Sequence, residues 1–156
     1  MTDTIAAMVA FHGQFRGEGI NHDQEPFIGL MTIQPVVSTK GVSIRFTATG
    51  VDGTVYHEEH TVIGPGADGQ PSLWTLTSNA PSVLEHRLQD DFTDREGSRR
   101  FVFGYGDAMD ETVFRETITL ELCADGAIGY RYAWGLPGGS FKERSGVFMI
   151  RTTVNP

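Results

Sequence analysis

Val42-Ser43-Ile44-Arg45-Phe46-Thr47-Ala48-Thr49 places an apolar side chain at every second position. That period of two is the pattern of a strand with one face in a core and the other in water. Working outward, Phe114, Ile118, Leu120 and Leu122 alternate in the same way with Arg115, Thr117, Thr119 and Glu121. Weaker patterns of this kind run over 11–19, 27–34, 54–64, 73–78, 83–89, 100–105, 128–134 and 147–154, which brings the candidate strands to ten. Between them, Gly50-Val51-Asp52-Gly53, the run 64–69, Asp94-Arg95-Glu96-Gly97 and Asp125-Gly126 supply residues that accept positive φ in tight turns. No helix-length crossover separates the strands, so consecutive strands pair antiparallel, and a sheet of that size closes on itself to remove its edges. The sequence therefore predicts an all-β, antiparallel up-and-down β-barrel of about ten strands, one domain over residues 1–156, with a two-sheet sandwich as the structural alternative. The one helix expected is short, residues 4–9, with Thr2 or Asp3 as N-cap and Ile5, Met8 and Val9 on one side, placed as a lid or plug. Segments 90–100 and 106–112 are expected to be long, mobile, acidic loops.

A chain of 156 residues with 39% hydrophobic content can fill one core. Twelve basic against twenty acidic residues leave a formal charge of -8, a field that repels phosphate backbones and anionic lipid headgroups. Arg95, Arg99 and Arg100 form a local basic group, but Asp90, Asp91, Asp94 and Glu96 are interleaved with it, so it reads as a solvated loop. Neither nucleic acid nor a membrane is an expected partner. No run approaches the ~18 apolar residues of a membrane helix. An outer-membrane barrel turns its apolar face to lipid, whereas the row Arg45, Thr47, Thr49 is read here as facing water, and residues 1–10 make a poor export signal. Cys123 is alone, so no disulfide forms within the chain, and a reducing, cytoplasmic setting is expected.

Near the start stands Gly13-Gln14-Phe15-Arg16-Gly17-Glu18-Gly19, a G-x-aromatic-x-G-x-G strand. It resembles the G-x-W-x-G-x-G opening strand of nitrobindin-like proteins and of related bacterial families of the calycin (lipocalin and fatty-acid-binding-like) superfamily, with Phe15 in place of Trp. The C-terminal half, with Arg115-Glu116-Thr117 leading a strand and Arg151 on the closing one, is similar to those families as well. Glycines let such a strand bend sharply, and the aromatic ring covers one barrel end while a late arginine packs across its face. Phe15 and Arg151 are the candidate pair. The resemblance implies haem held by a histidine close to the C-terminus. The histidines here are His12, His22, His57, His60 and His86, none of them late, so no cofactor is expected.

His57-Glu58-Glu59-His60 invites a zinc reading, but residues three apart on a strand point to opposite faces, and H-E-x-x-H needs histidines four apart on a helix. It is read as a solvated edge with one inward member and no metal. Leu84, His86 and Leu88 alternate with Glu85, Arg87 and Gln89, which turns His86 inward, and Glu116 is similarly placed between Phe114 and Ile118. A charge buried alone is costly, so each needs a partner, internal water or a ligand; mutual hydrogen bonding that merely fills the core is the plain alternative. Tyr130, Tyr132 and Trp134 share one strand face and suit a ligand wall or a packed core, with Phe46, Phe101 and Phe103 in the same interior.

The expected function is a small-molecule binding protein for an apolar or amphipathic ligand, since ten strands enclose more space than the ~8 that side chains nearly fill. Phe46, Phe103, Phe114, Tyr130, Tyr132 and Trp134 would wall the ligand, and His86 and Glu116 would orient it. A second reading is an enzyme with His86 as general acid or base and Glu116 setting its tautomer. A third is a structural module acting through its outer face or as a homodimer, which needs an apolar patch of several hundred Å²; the outward positions read as mostly polar. There is no G-x-S-x-G elbow, P-loop or dinucleotide fingerprint.

Overall fold

A computed structural model describes residues 3–152. In chain order it consists of α1 (Asp3–Ala10), β1 (Gly13–Ile20), β2 (Pro26–Val36), β3 (Gly41–Gly50), β4 (Val55–Pro65) and β5 (Pro71–Thr77), followed by β6 (Leu84–Thr93), β7 (Arg99–Tyr105), β8 (Arg115–Leu122), β9 (Ile128–Gly135) and β10 (Lys142–Arg151). Each strand pairs antiparallel with its neighbour in sequence, and β1 closes on β10 through Phe15 opposite Arg151, Arg16 opposite Ile150 and Gly19 opposite Val147. The result is a closed, ten-stranded up-and-down barrel with one short N-terminal helix, as the alternating pattern predicts. The proposed Thr2 cap and the last expected strand residues, 153 and 154, lie outside the described residues.

The expected turn glycines Gly53, Gly69, Gly97 and Gly126 all have positive φ. The expected loop 90–100 is instead mostly strand, with only a short turn between β6 and β7. A bulge between Leu88 and Asp90 adds a residue to β6 and breaks the period of two at the point where the alternation fades. Beyond it, Asp91, exposed at the rim opposite Phe101, accepts two hydrogen bonds from the Arg99 guanidinium, at 2.7 and 2.6 Å, which clamps the hairpin.

Inward residues of all ten strands meet in one core, and α1 fills one end of it with Ile5 and Met8. Thr4 Oγ1 donates to Asp91 Oδ2 at 2.8 Å, and Asp3 pairs with Arg99 at 3.0 Å, so the helix is tied down by polar contacts beside its apolar ones. The Gly-rich opening strand serves this end as well. Arg151 lies 4.8 Å from the centre of the Phe15 ring and 5.8 Å from that of Phe11, and its Nη1 donates to the His12 carbonyl at 2.6 Å. A Cβ on Gly17 would stand 2.0 Å from the carbonyl oxygen of Phe148, so only glycine allows β1 and β10 to approach closely enough to seal the barrel. The outer surface is less polar than the sequence reading has it: Leu30 and Ile150 flank Arg16 on the β10–β1–β2 face, both exposed.

Candidate functional site

At the end opposite α1 the interior opens as a pocket of about 330 Å³. Its mouth is framed by the turns after β1, β5, β7 and β9, through Asn21 and His22, Asn79 and Ala80, Phe114, and Leu136. Inside, Phe46 meets Tyr130 edge-on with ring centres 5.1 Å apart, and Tyr130 meets Tyr132 perpendicularly at 5.6 Å. Trp134 continues that row to the mouth, where His22 packs against its edge. Tyr130, Tyr132 and Trp134 sit on one wall because side chains at every second position of β9 share a face.

The pocket floor is built on β4. His57, Glu59, Thr61 and Ile63 point inward, whereas Glu58 and His60 point outward, His60 meeting Ser43 Oγ at 2.8 Å. The H-E-E-H run is thus not a solvated edge with a single inward member: two of its residues enter the barrel. Glu59 is 4% exposed and its carboxylate is fully engaged. Oε1 accepts from Tyr130 at 2.5 Å and from Thr61 at 3.0 Å; Oε2 accepts from His57 Nε2 at 2.7 Å and from the Tyr132 hydroxyl. Thr61 has one proton, given to Glu59, so at 2.8 Å it accepts from Thr75. Asn79 Nδ2 donates to His57 Nδ1 at 2.9 Å, which fixes the imidazole as the tautomer that carries its proton on Nε2.

Burial alone would push the Glu59 carboxyl up, but the hydrogen bonds it accepts from His57 and from both tyrosines hold it below the usual carboxylate range. Burial, reinforced by the Glu59 charge, pushes the Tyr130 and Tyr132 phenols well above their ordinary value. One fixed negative charge therefore lies beneath two neutral phenols.

The second polar pair joins β6 to β8. His86, fully buried, meets Glu116 Oε1 through Nε2 at 2.8 Å, so the two ionisable residues expected inside the barrel do come together. His86 Nδ1 has no hydrogen-bond partner among the described residues. A neutral ring protonated on Nε2 leaves only a lone pair unmatched there, whereas the imidazolium would bury an N–H with no acceptor.

Of the residues expected to form the site, Phe46, Phe114, Glu116, Tyr130, Tyr132 and Trp134 line the pocket. His86 stands behind Glu116, and Phe103 belongs to the packed core. Arg115, expected in the outward polar row of β8, is 1% exposed. The loops before β8 and after β9 fold over it, and its guanidinium donates to the carbonyls of Val113, Leu136 and Gly139 at 3.3, 2.8 and 2.7 Å. Alternation tells which side of the sheet a residue faces, not whether a loop covers that side.

Among the described residues no group of three or more His, Cys, Asp or Glu side chains is placed to hold a metal ion. Haem held by the closing strand does not fit: its inward positions are Ser145, Val147, Met149 and Arg151, and none is an imidazole. No helix among the described residues is long and apolar enough to cross a membrane.

Fold and pocket together define a closed ten-stranded up-and-down barrel, plugged by a helix at one end and open to a pocket at the other. The crystal structure of Rv2717c from M. tuberculosis matches it with a TM-score of 0.69 over 98% of this chain and 99% of that one, at 12% identity. At that identity the likeness is one of fold. No family model and no curated protein matches the sequence.

Proposed function

We propose that this protein binds a small apolar or amphipathic molecule inside the open end of its barrel. The observation that carries the reading is the aromatic-walled pocket of about 330 Å³, a volume within the range of small-molecule sites, with a few polar groups fixed in place around it. At the other end the same barrel is packed with α1 and apolar side chains. The Gly13–Gly19 strand and the stacking of Arg151 on Phe15 support descent from the nitrobindin-like and related bacterial calycin families. The lone cysteine favours a cytoplasmic setting. Native mass spectrometry of freshly purified protein tests the binding reading: a retained mass of a few hundred daltons, released on denaturation, is expected. Bare protein that also takes up no small aromatic probe would refute it.

The 2.8 Å contact between His86 and Glu116 favours a second reading, an enzyme, in altered form. Glu116 reaches the pocket and His86 does not, so Glu116 would be the general base and His86 the residue that positions it. Turnover of a bound ligand that disappears in Glu116→Gln while binding persists would favour this reading over binding alone.

A further inference from the structure

We infer that the pocket selects a ligand with a cationic, hydrogen-bond-donating head, an amine carried on an apolar body, and rejects carboxylates. This rests on the binding reading above and names its ligand class. The argument begins with the protons. Tyr130 and Tyr132 donate theirs to Glu59, so each phenolic oxygen has only lone pairs left to offer. His57 has both nitrogens engaged, by Glu59 and Asn79. Glu116 has one oxygen on His86 and no protein donor on the other among the described residues. The hydroxyls of Tyr56, Thr77 and Ser145 can act either way, and the indole N–H of Trp134 only donates.

Charge points in the same direction. Among the described residues no lysine or arginine lines the pocket, while Glu116 lines it and the engaged Glu59 carboxylate lies beneath the tyrosines. A ligand carboxylate would meet two negative groups and no cation. An ammonium would find the free Glu116 oxygen, phenolic lone pairs, and the rings of Phe46, Tyr130 and Tyr132, whose quadrupoles attract cations; the Trp134 ring already carries the Arg144 guanidinium 4.3 Å from its centre. The saturated state of Glu59 also decides which carboxylate pairs with the ligand. Its oxygens already accept four hydrogen bonds, so Glu116 is the direct partner and Glu59 supplies the field behind it.

The test uses three probes with one body and three heads, 3-phenylpropylamine, 3-phenylpropanol and 3-phenylpropionate, titrated calorimetrically into the full chain and into Glu116→Gln. The amine is expected to bind at least tenfold tighter than the alcohol, and the carboxylate weakest. In Glu116→Gln the amide oxygen still accepts from His86, so the fold is kept. The amine is expected to lose about tenfold there, while the alcohol is unchanged. Equal binding of all three heads, or an amine preference that survives Glu116→Gln, overturns the head-group selection and leaves the binding reading standing. Failure of all three to bind at millimolar concentration overturns both.

Discussion

Replacing Glu59 by Gln should destabilise the barrel more than any other single-atom change in the pocket. The wild-type carboxylate accepts from Tyr130, Tyr132, Thr61 and His57. An amide keeps one acceptor oxygen and turns the other position into a donor that faces two donors. Two buried hydrogen bonds are then lost, each worth about 1–3 kcal/mol when the partner stays buried. Rotation of the hydroxyls toward other acceptors recovers part of this, which leaves a net loss of about 2–4 kcal/mol. For a domain of this size, at about 2–4 °C per kcal/mol, the melting temperature should fall by about 4–16 °C at pH 7.

The pH dependence makes the claim specific to the ionised carboxylate. Because Glu59 has a lower pKa folded than unfolded, its contribution is complete above the unfolded value near 4.5 and is lost as pH falls through the folded value. Urea denaturation of both proteins from pH 7 down to pH 3 should therefore show the gap closing below about 4.5. A variant that melts within 1 °C of wild type, by rough estimate from the same scaling, or a gap that stays constant through acid pH, would refute the assignment of Glu59 as a charged acceptor.

Two further outcomes follow from the same contacts. Of the four tyrosines, Tyr130 and Tyr132 should ionise only as the protein unfolds, because burial and the Glu59 charge raise their pKa; raised values give stability that is present below the unfolded pKa near 10 and is lost above it. An alkaline titration followed by phenolate absorbance should thus show the phenols of Tyr130 and Tyr132 appearing together with loss of circular dichroism, and early titration of all four would contradict it. Replacing Arg115 with Met should release the carbonyls of Val113, Leu136 and Gly139, cost about 2–4 kcal/mol, and speed amide exchange in the 106–114 and 136–141 loops at least tenfold. Unchanged exchange in those loops would show that the guanidinium does not hold the pocket mouth.

The barrel was legible because its interior is apolar along most strands, so a period of two survives in β3, β8 and β9. The same signal turned His86 and Glu116 inward, since each sits between apolar neighbours on its own strand. Glu59 escaped because the inward row of β4 is His57, Glu59, Thr61, Ile63, with one apolar member, and hydrophobic periodicity cannot see a polar interior. Spacing rules for zinc then drew the eye to His57 and His60 as a pair, although strand geometry sends them to opposite faces. Counting back in twos from Ile63, and asking what Tyr130 and Tyr132 would donate to, would have found it. Arg115 was not recoverable in that way, because what buries it is a pair of loops whose path no periodicity encodes.

The two ends of this barrel give a contrast that bears on why Glu59 is there. At the α1 end the interior is filled by Ile5, Met8, Phe15 and Met31, and the chain closes without a charge in the core. At the pocket end the interior holds a carboxylate that four neighbours must satisfy. Removing an ion from water costs several kcal/mol, and apolar replacements of buried ionic clusters are often neutral or stabilising. Barrel closure therefore does not account for the arrangement. What the carboxylate changes is the direction of hydrogen-bond donation: it draws the protons of Tyr130 and Tyr132 away from the pocket and leaves lone pairs facing in. Without Glu59 those phenols would be free to donate into the pocket, and only the Glu116 carboxylate would remain to oppose an anion there. If that is the role of Glu59, then Glu59→Leu should raise the affinity for 3-phenylpropionate relative to 3-phenylpropylamine, a reversal that loss of packing alone would not produce.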